Sequence, residues 1–178
     1  MYRSLIPLLA LLAGFAALVA AQPGSKVDPS RFDATIGAHT LHVVAQVTPS
    51  DIRTLLDDLK VTYKEDRDSD SMTCFSMAGG RDPILLNLRK DGGATFVTSV
   101  EMTTTFSTKD KLGLSAANDW NSTTRFSRCS IDAEGKPALS TDLIVAEGVT
   151  TESLKTTVQL FIMSARKFNT EVLAKRGL

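Results

Sequence analysis

The chain of 178 residues is electrically balanced, with 20 Lys and Arg residues against 20 Asp and Glu residues, and only 6% of it is aromatic. It has no long block of one charge sign, which argues against a protein that binds nucleic acid or a membrane surface by electrostatics. Its length suits one domain of ordinary size with a single core, once an N-terminal segment is set aside.

The first 21 residues have the pattern of a secretory signal peptide. One positive charge, Arg3, precedes an apolar run over residues 5–19, and small residues end the segment at Ala21. A retained membrane anchor is the alternative, but the run is short for a span of about 20 residues. We therefore expect cleavage after Ala21 and a soluble periplasmic or secreted chain with no stable membrane span. Residues 22–47 are predicted to form a flexible leader or N-terminal arm.

Residues 48–178 are predicted to form the folded domain, which begins with a short helix. Thr48 suits the N-cap, Pro49 the first helical position, and Asp51 the positive end of the helix dipole. Apolar residues follow at helical spacing, namely Ile52, Leu55, Leu56 and Leu59. Four strands are predicted next, separated by an acidic segment and by turns with glycine, over residues 61–65, 72–78, 84–89 and 94–106.

The second half of the domain is predicted to hold a helix, a hairpin and a long helix. The helix covers residues 108–121, although Gly113 inside it costs about 1 kcal/mol relative to alanine. The hairpin strands cover residues 123–131 and 138–147. Thr150 can cap the last helix, which has one apolar stripe made of Leu154, Val158, Phe161, Ala165, Phe168 and Val172. The order α-ββββ-α-ββ-α predicts an α+β domain with helices packed on an antiparallel sheet.

A cluster of polar and aromatic residues lies where the second helix is predicted to end. It contains Asn118, Trp120 and Asn121, followed by Arg125 and Phe126. We predict that Trp120 is buried against the sheet or the final helix with its N–H bonded. The Asn and Arg side chains are predicted to form a clasp on the terminal carbonyls of the helix. The alternative for the same residues is a surface patch that binds a partner.

This cluster, the hairpin around residues 131–135 and the segment Gly148-Val149-Thr150 resemble the YbjN domain family, over residues 48–173. That family is similar in fold to the chaperones that escort type III secretion effectors. The chain lacks the paired cysteines that many exported relatives have in the four-strand region. The resemblance implies a non-catalytic bacterial protein, a regulator or a chaperone-like protein, and it is compatible with a homodimer.

No metal site or cofactor is expected. His39 and His42 would share a face only on a helix, and no Cys or carboxylate lies nearby at ligand spacing, so an exposed segment is favoured over a zinc site. Residues 66–70 imitate the start of a calcium loop. Ser71 and Met77, however, occupy the positions that need Gly and a bidentate Glu, so a solvated acidic turn is favoured.

The two cysteines, Cys74 and Cys129, fall on separate predicted strands. In an exported chain an even number of cysteines favours a disulfide, which would stabilise the fold by about 4 kcal/mol in the chain-entropy model. The alternative is two unlinked thiols that are buried as small apolar groups. Because the bond requires neighbouring strands, the sequence leaves both alternatives open.

The sequence predicts that the protein is not an enzyme. It has no Gly-x-Ser-x-Gly elbow, and no histidine follows any candidate nucleophile in the chain. Two functions stay open. One is an exported binding or chaperone-like protein that holds a polypeptide partner, and the other is a periplasmic regulator that binds or senses a small ligand.

Overall fold

The computed structural model describes residues 31–36, 38–68 and 72–178, so the predicted signal peptide and much of the predicted leader lie outside the described residues. In this part of the chain a six-stranded antiparallel sheet combines with three helices and a three-stranded sheet. The predicted α+β class with an antiparallel sheet is confirmed.

The order of elements from residue 48 agrees with the predicted order, with one two-residue strand added. The elements are β1 (Arg31–Ile36), β2 (His39–Val44), α1 (Pro49–Asp58), β3 (Tyr63–Asp68), β4 (Met72–Ala78), β5 (Pro83–Arg89), β6 (Ser99–Thr105), α2 (Leu114–Thr123), β7 (Arg128–Ile131), β8 (Pro137–Ile144), β9 (Val149–Thr150) and α3 (Thr151–Lys167). The main sheet has the strand order β3-β4-β5-β6-β8-β7.

Helix α1 begins as its sequence predicts. The Thr48 hydroxyl accepts a hydrogen bond from the Asp51 backbone N–H, and the Asp51 carboxylate accepts one from the Thr48 N–H at 2.8 Å. This reciprocal pair is a capping box with aspartate in the role of glutamate. Ile52, Leu55 and Leu56 are buried in the common core.

The N-terminal hairpin is an element that the sequence analysis missed. Residues 22–47 were predicted to be a flexible leader or arm, whereas β1 and β2 pair over their full length. Strand β2 also pairs with β9 through Val43 and Val44, which makes the three-stranded sheet. Val44 and Val47 join the buried core, so tertiary packing supports strands that the local pattern did not indicate.

Several predicted elements are too long, among them both hairpin strands, since β7 begins at Arg128 and β8 ends at Ile144. The strand predicted over residues 94–106 begins at Ser99, because the preceding turn is held by Asp91, whose carboxylate accepts hydrogen bonds from the Thr98 and Ser99 hydroxyls. These bonds lower the pKa of Asp91, with Ser99 making the larger contribution. The helix predicted from residue 108 begins only at Leu114. Gly113 is its N-cap and therefore lies before the helix rather than inside it.

Helix α3 carries the predicted apolar stripe on its buried face. Thr150 caps it by accepting a hydrogen bond from the Ser153 N–H at 3.1 Å. Beyond Lys167 the helix widens into a π-helical turn, Phe168–Leu173. The wider turn shifts the buried position by one residue, so Leu173 is fully buried where Val172 was predicted, and Val172 is only partly buried.

The buried residues of all three helices and both sheets form one core cluster. Helix α3 packs against both sheets, because it contacts β6 and β8 of the main sheet and β2 and β9 of the small sheet. Helix α2 contacts β7. Over the residues that the structure describes, no helix has the length and apolar character needed to cross a membrane.

Candidate functional site

A polar cleft of about 510 Å³ lies where the chain passes from α2 to β7, beside the second half of β8; we call it the β8 cleft. Three of the residues predicted at the end of the second helix line it, and the others come from β7, β8 and the segment that joins α2 to β7. The lining residues are Asn121, Thr124, Arg125, Phe126, Ser127, Arg128, Ser140, Thr141 and Asp142.

Trp120 lies next to the first lining residue in the chain and is buried, as predicted. Its side chain is 4% exposed, and its ring packs edge-on against the Phe168 ring with a centroid distance of 5.0 Å. The indole N–H donates to the Ser127 hydroxyl at 3.3 Å. Lys167 Nζ lies 5.9 Å from the indole ring centroid. These contacts fix α2 to the end of α3 and hold the last residue of the segment that leads to β7.

Asn121 binds backbone, but on β7 and not on its own helix. Its side-chain amide donates to the Cys129 carbonyl at 3.0 Å, and its side-chain carbonyl accepts from the Cys129 N–H at 2.7 Å. A residue of a neighbouring strand would make the same pair of bonds. Asn121 thus closes the outer edge of β7 at Cys129, because β7 has β8 on its other side.

The predicted clasp on the terminal carbonyls of α2 is therefore wrong. Those carbonyls are bonded by Thr123 and Thr124: the Thr123 hydroxyl donates to the Asp119 carbonyl at 2.7 Å, and the Thr124 N–H donates to the Trp120 carbonyl at 2.8 Å. Asn118 lies exposed on α2 outside the β8 cleft. Arg125 makes no hydrogen bond or ion pair with any described residue. At these two carbonyls, a hydroxyl and a backbone N–H close in sequence take the place of the Asn and Arg donors that the clasp would have provided.

Phe126 has an unusual conformation for a bulky residue. Its φ angle is 65°, in the left-handed region, and its side chain is 60% exposed at the β8 cleft. Such a backbone conformation costs about 1–3 kcal/mol in a residue other than glycine, and conformations of this kind cluster at binding and active sites. Phe126 is the corner at which the chain turns from α2 toward β7.

The lining of the β8 cleft carries more positive than negative charge. Arg125 and Arg128 both line it, and neither has an ion pair within the described part of the chain. Asp142 lies beside Glu101 in the sheet register. Arg89, which bonds Glu101 at 2.8 Å, also interacts electrostatically with Asp142. The two arginines are therefore the charges that a ligand in the cleft can neutralise.

Six of the lining residues were not predicted from the sequence, namely Thr124, Ser127, Arg128, Ser140, Thr141 and Asp142. The sequence predicts hairpin strands of nearly equal length, which would pair along their whole length and leave no cleft. In the structure β7 is four residues long and β8 eight, because α2 continues to Thr123 and the chain then turns at Phe126. The left-handed turn has no glycine to indicate it in the sequence.

Cys74 and Cys129 do not form a disulfide. They lie on β4 and β7, and three strands separate these two strands in the main sheet. At about 4.8 Å per strand the separation is about 19 Å, far beyond the Cα distance of about 7 Å that a disulfide allows. The two thiols are therefore not bonded to each other, and of the two only Cys129 is buried, since Cys74 is half-buried. Burial raises the pKa of Cys129 to about 11.

The shifted pKa of Cys129 predicts a loss of stability at high pH. An unfolded thiol ionises near the ordinary value of 9.0, whereas the folded thiol keeps its proton to about pH 11. The contribution to the free energy of unfolding is thus complete below about pH 9 and falls as the pH rises toward about 11. Urea denaturation at about pH 8 and about pH 10.5 should show a smaller loss for Cys129→Ala than for wild type. Equal losses would contradict the assignment.

The two histidines and the acidic segment do not form a metal site in the described residues. His39 and His42 both lie on β2, where a spacing of three puts them on opposite faces. His42 Nδ1 lies 2.7 Å from Asp33 Oδ1. Asp66 lies on β3, and Asp70 is outside the described residues. Over residues 31–36, 38–68 and 72–178 no three His, Cys, Asp or Glu side chains come together as metal ligands.

Comparison with known proteins identifies one family. The model of the YbjN family, described as "Putative bacterial sensory transduction regulator", matches residues 48–174. A solved structure titled as YbjN, "a putative transcription regulator from E. coli", is similar with a TM-score of 0.47 and 14% identity, over 72% of this chain and 95% of that chain. No curated protein matches the chain.

Proposed function

We propose, from the premise that this chain belongs to the YbjN family, that it is an exported, non-catalytic regulatory protein that holds a polypeptide partner in the β8 cleft. Export rests on the signal-peptide pattern of the first 21 residues. A regulatory role agrees with the family description.

One observation carries the choice of the β8 cleft as the binding site. An exposed aromatic ring, Phe126, lies in a strained backbone conformation in a cleft that also holds two arginines without ion pairs. Aromatic and arginine side chains are the residues most enriched at the energetic centres of protein interfaces. Core packing does not explain this arrangement, because the Phe126 side chain is mostly exposed and contributes little to the core.

The composition of the cleft favours binding over catalysis. Its lining offers the hydroxyl groups of two serines and two threonines and one carboxylate, Asp142, but no histidine or cysteine. A hydroxyl nucleophile needs a base within hydrogen-bond distance, and none of these hydroxyls bonds to one in the described chain. The Ser127 hydroxyl instead accepts the bond from Trp120. These observations support a holding role.

Two matched surface variants test the proposed site. In Phe126→Ser the apolar anchor is lost while the polar cleft is kept, and in Leu114→Ser an equally exposed apolar residue changes outside the cleft lining. We expect the tagged full-length protein to co-purify a partner from the cell envelope. The partner should be retained by Leu114→Ser and reduced at least about ten-fold by Phe126→Ser. Equal recovery with both variants would remove the β8 cleft as the site.

A second cleft supports the alternative, a regulator that binds a small ligand. It measures about 340 Å³ and lies between the N-terminal hairpin, α1 and α3. Apolar side chains such as Phe32, Val43 and Leu154 form most of its exposed wall, and charged side chains including Arg31 and Lys155 also line it. This size and character suit a small amphipathic molecule. Binding there would be insensitive to Phe126→Ser, so the same variants separate the two functions.

A further inference from the structure

Strand β8 is paired on both sides for only half of its length. On one side β6 pairs with Ala138–Ile144. On the other side β7 pairs with Pro137–Ser140 and ends there, because its first residue, Arg128, is the partner of Ser140. The second half of β8, residues 141–144, has no strand beside it on the β7 side within the described chain.

The direction of the backbone groups follows from the hydrogen bonds at the two ends of β8. The Pro137 carbonyl accepts from the Phe106 N–H at 2.9 Å, and the Val145 N–H donates to the Thr98 carbonyl at 2.8 Å. The odd-numbered residues of β8 therefore direct their N–H and C=O groups toward β6, and the even-numbered ones toward β7. Asp142 and Ile144 consequently direct their backbone groups at the unpaired side, and none of these groups bonds to a described residue.

The other edges of the main sheet are protected. Edge strand β3 carries charged side chains, including Lys64, Glu65 and Asp66, of the kind that prevent pairing with another chain. The outer side of β7 is closed at Cys129 by the Asn121 side chain. Residues 141–144 carry a single charged side chain, Asp142, and no described side chain closes their outer backbone groups. This stretch borders the β8 cleft.

A strand added at this edge would end at the arginines. All ladders of the main sheet are antiparallel, so the favoured addition runs antiparallel to β8 and in line with β7. It then points toward the first residue of β7, Arg128, which blocks further extension. A chain that stops at this point brings its C-terminal carboxylate to Arg125 and Arg128, which have no ion pair with another described residue.

We propose that the partner binds by its C-terminal tail, which adds as a short strand along residues 141–144 of β8 and places its terminal carboxylate at Arg125 and Arg128. This inference rests on the proposed function and specifies how the polypeptide is held. The edge of four residues accommodates a tail of about 13 Å at about 3.3 Å per residue. Backbone bonds to Asp142 and Ile144 supply affinity, and Phe126 contacts one side chain of the tail.

A peptide library tests the proposal with the full-length protein. The probe is a pool of random hexapeptides with free C-terminal carboxylates, and the control is the same pool with C-terminal amides. We expect selection of binders only from the free-acid pool, and amidation of a selected peptide should weaken its binding at least about ten-fold. Arg128→Gln should cause a loss of similar size. Equal selection from both pools, or no selection from either, overturns the proposal.

The strand pairing is tested separately from the charge. Ile144→Pro removes only an N–H that faces the unpaired side, whereas Ile144→Thr changes the same exposed side chain and keeps the N–H. We expect the proline variant to lose peptide binding and the threonine variant to keep it. Methylating successive backbone nitrogens of the selected peptide gives the same test without changing the protein, so it holds even if Ile144→Pro unfolds. Binding unaffected by every methyl group would overturn strand addition.

The outcomes also distinguish this mode from the proposed function. If Phe126→Ser abolishes partner recovery while the peptide tests fail, the β8 cleft binds a polypeptide in another way. If partner recovery is unaffected and no peptide is selected, the cleft is not the site and both statements are wrong.

Discussion

Trp120→Ala should lower the free energy of unfolding by about 3–5 kcal/mol, the range for truncation of a large buried aromatic residue. The substitution removes a ring that is 4% exposed and deletes its edge-on contact with Phe168. It also leaves the Ser127 hydroxyl, which is buried, without the indole donor. Urea denaturation followed by circular dichroism measures the change.

Leu114→Ala is the matched control for this prediction. It lies on the same helix but is 70% exposed, so its effect should stay within about 0.5 kcal/mol. A Trp120→Ala protein of near-wild-type stability that had lost its partner would make Trp120 a recognition residue instead of a packing residue.

Asn121→Leu should cost about 2–4 kcal/mol. Leucine has nearly the same size but can neither donate to the Cys129 carbonyl nor accept from its N–H, so both groups lose their partner at a residue that is 6% exposed. Asn118→Leu, an exposed asparagine one turn earlier on α2, should change stability by less than about 0.5 kcal/mol. Urea denaturation of the two variants side by side makes the comparison, and equal effects would contradict the strand-like role of Asn121.

The double substitution of Asn121 and Arg125 tests the geometry further. Asn121 bonds Cys129, and Arg125 bonds no described residue, so the two effects on unfolding free energy should add within about 0.5 kcal/mol. A coupling energy of more than about 1 kcal/mol would restore the clasp that the sequence suggested.

The elements that the sequence predicted well are those with strong local signals. Thr48, Pro49 and Asp51 mark the start of α1 by their own chemistry, and Thr48 caps the helix as predicted. The strand Met72–Ala78 has the predicted bounds, and the two glycines that follow it mark its end in the sequence. Trp120 could be assigned to the core because a single large aromatic residue, one helical turn after the apolar Ala116, gains most by burial.

The predictions that failed depend on contacts between distant parts of the chain. The N-terminal hairpin gains its second neighbour from Val149 and Thr150, more than 100 residues later, and nothing local to residues 31–44 indicates that pairing. The partner of Asn121 is a backbone unit eight positions away on another element. The β8 cleft exists because β7 is shorter than β8, and this difference is set by Phe126 in a conformation that its residue type disfavours. The dimer expected from the family resemblance stays a prediction.

The position of the N-terminal hairpin has a consequence for how the domain can be cut. The family match begins at residue 48, just after Val47 and beyond the hairpin. Yet Thr150, the N-cap of α3, is also the partner of Val43, and the Thr151 hydroxyl donates to the His42 carbonyl. A chain cut at the family boundary would therefore expose the first turn of α3 and remove two buried valines from the core. We therefore expect a chain cut at the family boundary to be less stable than one that keeps the hairpin, because that boundary divides a packed piece of the molecule.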